Sequence, residues 1–312
     1  MNSAESAITF NCEGDTLVGV VTLPSAARDT GVLIIVGGPQ YRAGSHRQFV
    51  QLACCVAAAG FPVLRFDSRG MGDSSGALRS FEYISADIGC AINALLTEAP
   101  TVKRVVLWGL CDGASAALLY LHQQQDLRVS GLCLLNPWVR SETTLARTHV
   151  KHYYGQRLLQ RDFWLKLMRG GVAWQAAHGL LRNLRKAVAT SGPVSANNTL
   201  PYTRRMALGW QEFKRPILLM LSGNDLTAQE FNQACNLDRS WQAALRCAGV
   251  TRIELSGADH TLSDAKARLR FEAECLAWLS RIFDDRGICN SLSVPSQMEV
   301  ASTLQASAGK AI

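Results

Sequence analysis

The sequence lacks any apolar run of the roughly 18 residues that a membrane-spanning helix needs. Residues 1–10 contain neither a basic segment nor a long apolar stretch, so we expect no signal peptide. Internal repeats and the motifs of RNA- or DNA-binding proteins are also missing. These absences argue against a membrane-spanning, secreted or nucleic-acid-binding protein, and we predict a cytoplasmic location.

The ten cysteines lack the spacing of a metal site, because there is no CxxC pair and no cluster of cysteine and histidine. They are scattered through predicted strands and helices, as the neighbours Cys54 and Cys55 illustrate. This distribution predicts reduced thiols that mostly pack as small apolar side chains. We therefore expect no metal ion and no cofactor.

The composition is that of a globular protein with a large core, since 48% of the 312 residues are hydrophobic. Apolar β-branched runs alternate with helical patterns, which predicts an α/β fold with a mostly parallel central sheet covered by helices on both faces. The predicted strands of this sheet lie at residues 31–36, 61–66, 104–108, 131–135, 217–221 and 252–255. Before them, residues 7–12 and 17–23 flank Glu13-Gly14-Asp15 and predict an antiparallel hairpin.

Three regions follow from this pattern. We predict that residues 1–137 and 216–286 form one core domain and that residues 138–215 are inserted into it as a helical cap. Residues 287–312 are small, polar and nearly uncharged, so we expect a disordered tail.

The most informative segment is Gly109-Leu-Cys-Asp-Gly113, which joins the predicted strand at residues 104–108 to a helical pattern. This is the strand–turn–helix context of a nucleophile elbow, with Cys111 where serine is usual. The two glycines avoid Cβ clashes on a tight turn, and the helix start favours a thiolate. The alternative is a buried cysteine in an ordinary turn between strand and helix, and the decision depends on its partners.

A cysteine nucleophile needs a base, and six histidines are available. His260 follows the last predicted strand, at the sheet edge where parallel sheets collect their chemistry. His46 could lie near the mouth of the site, whereas His122 falls about three helical turns beyond the nucleophile and cannot reach it. The others, His149, His152 and His178, lie in the insertion. We therefore predict His260 as the base.

The acid that orients this base is predicted to be Asp225, just past a glycine turn after the preceding strand. Nucleophile, acid and base then follow the chain order of the α/β-hydrolase fold. Asp259 adjoins His260, and neighbouring loop side chains seldom form the orienting hydrogen bond. Asn136 occupies the position after an earlier strand that some hydrolases use for the acid, but it cannot carry the charge.

An oxyanion hole requires two backbone N–H donors. We assign one to Asp112 and the other to Gly38, with Gln40 as second choice, since Pro39 has no N–H. The Asp112 side chain is expected to cap its own helix. We also expect Gln40 and the first residues of the insertion, Trp138 and Arg140, to contact the substrate.

The insertion carries an unusual charge. Residues 138–215 contain 14 Lys and Arg but only 3 Asp and Glu, whereas the rest of the chain has a net charge of −4. One interpretation is a lid with an apolar inner face and solvated arginines. The alternatives are recruitment of an anionic substrate and peripheral contact with an anionic membrane surface.

These motifs together resemble the α/β-hydrolase superfamily over residues 5–285. The segments 109–115 and 37–46 more narrowly resemble the exosortase A system-associated hydrolase 1 family, and Cys111, Asp225 and His260 are similar to the catalytic set of dienelactone hydrolase. The resemblance implies a bacterial protein encoded beside exopolysaccharide and protein-sorting genes. Val36 departs from many hydrolases, which have histidine before the oxyanion glycine.

We therefore predict a hydrolase that transfers the acyl group of an ester, lactone or thioester to Cys111 and then to water. An acyltransferase with the same residues and a catalytically idle binding partner are the alternatives. The partner we expect is a small-molecule or acyl substrate. The sequence does not indicate the oligomeric state.

Overall fold

The computed structural model describes residues 3–38, 40–140 and 200–283. Its strands are β1 (Ser3–Cys12), β2 (Asp15–Pro24), β3 (Thr30–Ile35), β4 (Val63–Phe66), β5 (Arg104–Leu110), β6 (Val129–Leu135), β7 (Ile217–Ser222) and β8 (Val250–Leu255). Its α-helices are α1 (Gln48–Ala58), α2 (Ser85–Glu98), α3 (Asp112–Gln124), α4 (Tyr202–Glu212), α5 (Leu226–Leu237), α6 (Arg239–Leu245) and α7 (Ala265–Phe283). Short 3₁₀ helices span Ser45–Arg47 and Phe81–Tyr83.

The eight strands form one sheet in the order β1-β2-β4-β3-β5-β6-β7-β8. β1 and β2 pair antiparallel, β2 pairs antiparallel with β4, and every later pair is parallel. The predicted mostly parallel sheet and N-terminal hairpin are therefore confirmed. Glu13 and Gly14 make the hairpin turn with φ values of 52° and 92°, the positive values that suit a two-residue connection.

The central strands are mostly apolar because both of their faces are buried. In β3, Leu33 and Ile35 face one core cluster, which also receives side chains from α2 to α6. Val32 and Ile34 face the opposite cluster, which includes Phe49 of α1 and residues of α7. A two-residue period of burial against helices on both faces explains the continuous hydrophobic runs.

Some strand ends differ from the predicted ones because backbone hydrogen bonds, and not the apolar pattern, determine where a strand begins or ends. β5 continues to Leu110 rather than ending at residue 108, because Gly109 is paired with both neighbouring strands. β4 begins at Val63 rather than at residue 61, because the Phe61 N–H closes the end of α1 by donating to the Val56 carbonyl.

Part of the predicted cap lies in the described residues. α4 packs on α3 so closely that a Cβ on Gly209 would lie 2.3 Å from the Leu118 carbonyl oxygen, and Trp210 is fully buried. Residues 141–199 and 287–312 lie outside the described part, so the helical cap and the disordered tail stay predictions. Within the described part, no helix is both long and apolar enough to cross a bilayer.

Candidate active site

The turn after β5 holds Cys111 in a strained conformation, with φ 59° and ψ −123°. Glycine is required on both sides of it. A Cβ on Gly109 would lie 2.5 Å from the Ala114 nitrogen, and one on Gly113 would lie 2.4 Å from the Ile35 carbonyl oxygen. The predicted reason for these glycines is confirmed, and the half-buried thiol stands at the carboxyl edge of the sheet.

Backbone contacts fix this turn against the next strand connection. The Cys111 N–H donates to the Leu135 carbonyl at 2.9 Å, and the Cys111 carbonyl accepts from the Trp138 N–H at 3.2 Å. The Ser115 hydroxyl donates to the Trp138 carbonyl at 2.7 Å. These hydrogen bonds therefore restrain the backbone of the turn that carries the thiol.

Asp225 and His260 meet beside the thiol. His260 Nδ1 lies 2.8 Å from Asp225 Oδ2, and the other carboxylate oxygen accepts from the Thr227 N–H at 3.0 Å, capping α5. Asp225 is buried, so both of its oxygens are satisfied inside the protein. The capping bond fixes the carboxylate, and the carboxylate fixes the imidazole.

Hydrogen bonds from His260 to Asp225 and to Cys111 raise the pKa of the imidazole from 6.5 to about 10, against the opposing effect of burial. The ring is therefore an imidazolium at neutral pH, placed between a carboxylate and the thiol. The structure thus brings together all three residues that the sequence predicted for nucleophile, acid and base.

The loops that carry Asp225 and His260 are joined by their backbones. The Gly223 N–H donates to the Leu255 carbonyl at 3.0 Å, and the Asn224 N–H donates to the Ala258 carbonyl at 2.9 Å. The side-chain amide of Asn136 holds the end of β7 in place. Its Oδ1 accepts from the Ser222 N–H at 2.8 Å, and its Nδ2 donates to the Ser222 hydroxyl at 3.0 Å. At the position where some hydrolases have the acid, this chain therefore has an asparagine whose hydrogen bonds hold the neighbouring strand end in place.

The remaining candidates lie elsewhere. The Asp259 carboxylate accepts from the N–H groups of Thr261 and Ser263 in its own loop, as expected of a residue that does not orient the base. His122 lies 3.6 Å from Glu212, on α3 and away from the thiol. The histidines at positions 149, 152 and 178 lie outside the described residues.

The predicted oxyanion donors are also neighbours, but one of them is already engaged. The Gly38 N–H donates to Asp112 Oδ2 at 2.7 Å, so this side chain, which was expected to cap its own helix, also bonds a loop that the sequence did not indicate. It crosses to the loop after β3 because Gly37 has no side chain, and a Cβ there would lie 2.0 Å from Asp112 Oδ1. Burial raises the pKa of the Asp112 carboxyl, while the N–H groups of Gly38, Asp112 and Gly113 lower it.

The loop that carries Gly38 is tied to the loop after β4 by a residue that sequence reasoning missed. The Arg42 N–H donates to Asp67 Oδ1 at 2.6 Å, and its guanidinium bonds the other oxygen of this fully buried carboxylate. The guanidinium also reaches Asp73 at 2.6 Å. The sequence signal that could have revealed this contact is the opposite charge of Arg42 and Asp67 in two glycine-containing loops.

Two of the predicted substrate contacts, Trp138 and Arg140, pack against each other after β6. The Arg140 guanidinium lies 4.3 Å from the Trp138 ring centre and bonds both oxygens of buried Glu230 at 3.0 and 3.1 Å. The Tyr202 hydroxyl donates to the Arg140 carbonyl, and burial, with a contribution from Cys111, raises the pKa of this phenol. Sequence reasoning missed Glu230 and Tyr202, which no motif marks.

Gln40, the second-choice oxyanion donor, lies in the loop after β3, and its side-chain Oε1 is buried without a hydrogen-bond partner among the described residues. Pro39 lies outside them. Within the same residues, no group of three His, Cys, Asp or Glu side chains is arranged to hold a metal ion.

Comparison with known proteins identifies the family to which this chain belongs. The family model described as serine aminopeptidase, S33, matches residues 29–263. A search of curated proteins found no significant match.

Solved structures of similar fold include an esterase from Pyrococcus furiosus, Pf2001, with 16% identity, TM-score 0.60 and coverage of 90% of this chain and 94% of that one. Dienelactone hydrolase from Anabaena variabilis has 15% identity, TM-score 0.55 and coverage of 91% and 100%. Est1E from Butyrivibrio proteoclasticus, solved with ferulic acid, has 13% identity, TM-score 0.58 and coverage of 89% and 100%. At these identities the likeness shows the α/β-hydrolase fold.

Proposed function

The chain belongs to the serine aminopeptidase S33 family of α/β-hydrolases, and from this premise we propose that it cleaves an ester, lactone or thioester through an acyl-enzyme on Cys111. One observation carries the proposal: at the carboxyl edge of the sheet, His260 Nδ1 lies 2.8 Å from buried Asp225 Oδ2, and Cys111 is near enough to raise the pKa of the same imidazole. A base fixed by a buried acid and touching a nucleophile is the arrangement that acyl transfer requires.

In the first step, the Cys111 sulfur attacks the carbonyl carbon and a C–S bond forms, while the thiol proton resides on His260. The N–H groups of Gly38 and Asp112 stabilise the tetrahedral oxyanion. The bond to the leaving group then breaks, and His260 protonates the departing alcohol or thiol.

In the second step, a water molecule gives a proton to His260 and attacks the thioester carbon. The C–S bond breaks and releases a carboxylic acid. Asp225 keeps its charge throughout and holds the imidazole in the orientation that serves both steps. The enzyme returns with its thiol proton again shared with His260.

Cysteine at the elbow limits the substrates we propose. In a tetrahedral intermediate, the thiolate of Cys111 departs more readily than an amine, so attack on a peptide mostly reverses. Alkoxide and thiolate leaving groups compete better with it. Esters, lactones and thioesters are therefore favoured over peptides, although the family description names an aminopeptidase.

The proposal is tested by intact-protein mass spectrometry after brief exposure to a panel of p-nitrophenyl esters. We expect an acyl adduct on the wild type, no adduct in Cys111→Ala and a strongly reduced rate in His260→Ala. Cys54→Ala is the matched control, because this cysteine is exposed on α1 and away from the site. An adduct that persists in Cys111→Ala would contradict the proposal.

Two further functions share the same site. An acyltransferase would pass the acyl group to a hydroxyl other than water, and product analysis with added alcohols distinguishes it from a hydrolase. A catalytically idle binding partner would form no adduct and would give the thiol of Cys111 an ordinary reactivity toward iodoacetamide. The sequence resemblance supports a role in exopolysaccharide or exosortase-associated metabolism.

An anionic substrate and peripheral membrane contact remain proposals that rest on the charge of residues 138–215. Arg140, at the described start of that segment, is already paired with Glu230. If other basic residues recruit an anion, KM will rise with ionic strength, because salt screens the attraction. A KM that is independent of salt would count against recruitment.

A further inference from the structure

The Asp112 carboxylate stands where a substrate oxyanion is expected. Its Oδ2 accepts the Gly38 N–H at 2.7 Å, and the N–H groups of Asp112 and Gly113 also stabilise its charged form. Gly38 and Asp112 are the two donors that the proposed mechanism needs. A negatively charged oxygen at this position resembles the tetrahedral intermediate in both charge and hydrogen bonding.

Helix capping alone does not account for this contact. An acidic residue in the first turn of a helix is ordinarily stabilised by N–H groups of that helix. Asp112 also reaches a loop 74 residues earlier in the chain. Asp112 Oδ1 is buried and has no hydrogen-bond partner among the described residues. The carboxylate is therefore positioned by its contact with the loop after β3 as well as by the start of its own helix.

The charge of Asp112 is also unbalanced. Asp225 is paired with His260, and Glu230 is paired with Arg140. Asp112 forms no salt bridge with any residue that the structure describes, although the imidazolium of His260 lowers its pKa from a distance. The site therefore contains one carboxylate that has backbone donors but no cation of its own.

We propose that Asp112 determines substrate specificity: its carboxylate fills the oxyanion hole of the resting enzyme and is displaced by acyl donors that carry a cationic group close to the carbonyl. The inference rests on the proposed acyl transfer at Cys111. Before the carbonyl oxygen can bind Gly38, the carboxylate has to leave this donor. A cation on the substrate gives the displaced carboxylate a new partner, whereas an anion repels it.

The first test measures the rate at which Cys111 is acylated by p-nitrophenyl butyrate in the wild type, Asp112→Ala and Asp112→Asn. Removing the carboxylate empties the hole, and we expect Asp112→Ala to react about 10- to 100-fold faster, as for loss of one hydrogen bond to a charged group. Acetate should then inhibit Asp112→Ala by filling the emptied hole and should leave the wild type unaffected. Equal rates, or a slower Asp112→Ala, would overturn the proposal.

The second test measures charge preference with three esters of one chain length: the butyrate, its terminal trimethylammonium analogue and its terminal sulfonate analogue. We expect the wild type to react fastest with the cationic ester and slowest with the anionic one. Asp112→Asn keeps the shape of the side chain without its charge, so the order should disappear. If the order persists in Asp112→Asn, Asp112 is not the residue that sets it.

A measurement on the resting protein separates failure of this inference from failure of the proposed function. With isotope-labelled glycine, the Gly38 amide proton should resonate downfield in the wild type and move upfield in Asp112→Ala, and acetate should restore it. If no ester acylates any variant, the proposed function fails and with it the specificity role. If Cys111 is acylated but the Gly38 resonance ignores Asp112, only the inference fails.

Discussion

The two halves of the active site are prepared to different degrees. In the half that we propose activates Cys111, each oxygen of Asp225 has a partner, and the imidazole of His260 bonds this carboxylate beside the thiol. In the half that stabilises the oxyanion, the Gly38 N–H is occupied by the Asp112 side chain. The first half is complete without substrate, whereas the second has to exchange a protein carboxylate for the substrate oxygen.

In the proposed mechanism, nucleophile activation and oxyanion stabilisation therefore depend on separate elements of the fold. The acid and base stand on joined loops after β7 and β8, and the oxyanion donors stand between the loop after β3 and the start of α3. Substitutions can therefore damage one half and leave the other intact. The predictions below use this separation.

The largest effect is expected from Asp225→Asn, which breaks the first half alone. The amide cannot stabilise the imidazolium, so we expect kcat/KM for an ester to fall about 1,000- to 10,000-fold. The Gly38 amide resonance should not change, because the oxyanion half does not contact this residue. Steady-state hydrolysis and the resonance together check the prediction.

The matched control is Asp259→Asn, which changes the carboxylate next to His260 in sequence. Asp259 bonds N–H groups of its own loop rather than the base. Its substitution should alter kcat/KM only slightly. A comparable loss in both variants would show that negative charge near His260 matters more than the orienting bond.

A smaller effect is expected from Arg42→Ala, which loosens the oxyanion half alone. The buried Asp67 carboxylate loses a charged partner, and we expect the free energy of unfolding to fall by about 1–3 kcal/mol. Acylation of Cys111 should slow because Gly38 is less well placed. Arg252→Ala, which breaks an exposed pair with Glu254, should cost less than about 1 kcal/mol in denaturant unfolding.

The last prediction changes no activity and concerns the pH dependence of stability in the first half. The pKa of His260 is raised from 6.5 to about 10 in the folded protein, so its pairing stabilises the fold fully below pH 6.5. That contribution should decline as pH rises and vanish above about 10. Denaturant unfolding of the wild type and His260→Gln at several pH values measures the difference. A stability difference that is constant with pH would contradict the raised pKa.

The sequence predicted most of the fold because its signals are local. Runs of apolar residues buried on both faces identify parallel strands, and the glycines at positions 109 and 113 identify the turn that bears Cys111. The positions of His260 after the last strand and of Asp225 after the preceding strand were enough to select two side chains that lie 2.8 Å apart. The strand ends were less certain, because Gly109 keeps pairing where a local pattern ends.

The oxyanion half could not be predicted in full, because its contacts join residues far apart in the chain. The sequence predicts an ordinary helix cap at Asp112. Only the structure shows that Gly37, which has no side chain, leaves room for this carboxylate. Arg42 and Asp67 are likewise ordinary loop residues until the two loops meet. Side-chain direction at such junctions depends on the packed backbone.

The most direct test of the difference between the halves compares two reactions of Cys111 in the wild type and Asp112→Ala. Alkylation by iodoacetamide needs only the activated thiol, whereas acylation by p-nitrophenyl butyrate needs the oxyanion hole as well. Peptide mapping, with Cys111→Ser as the blank, separates this thiol from the exposed Cys54. We predict unchanged alkylation and faster acylation in Asp112→Ala. An equal rise in both rates would show that Asp112 acts on the thiol, and the account of a filled oxyanion hole would be wrong.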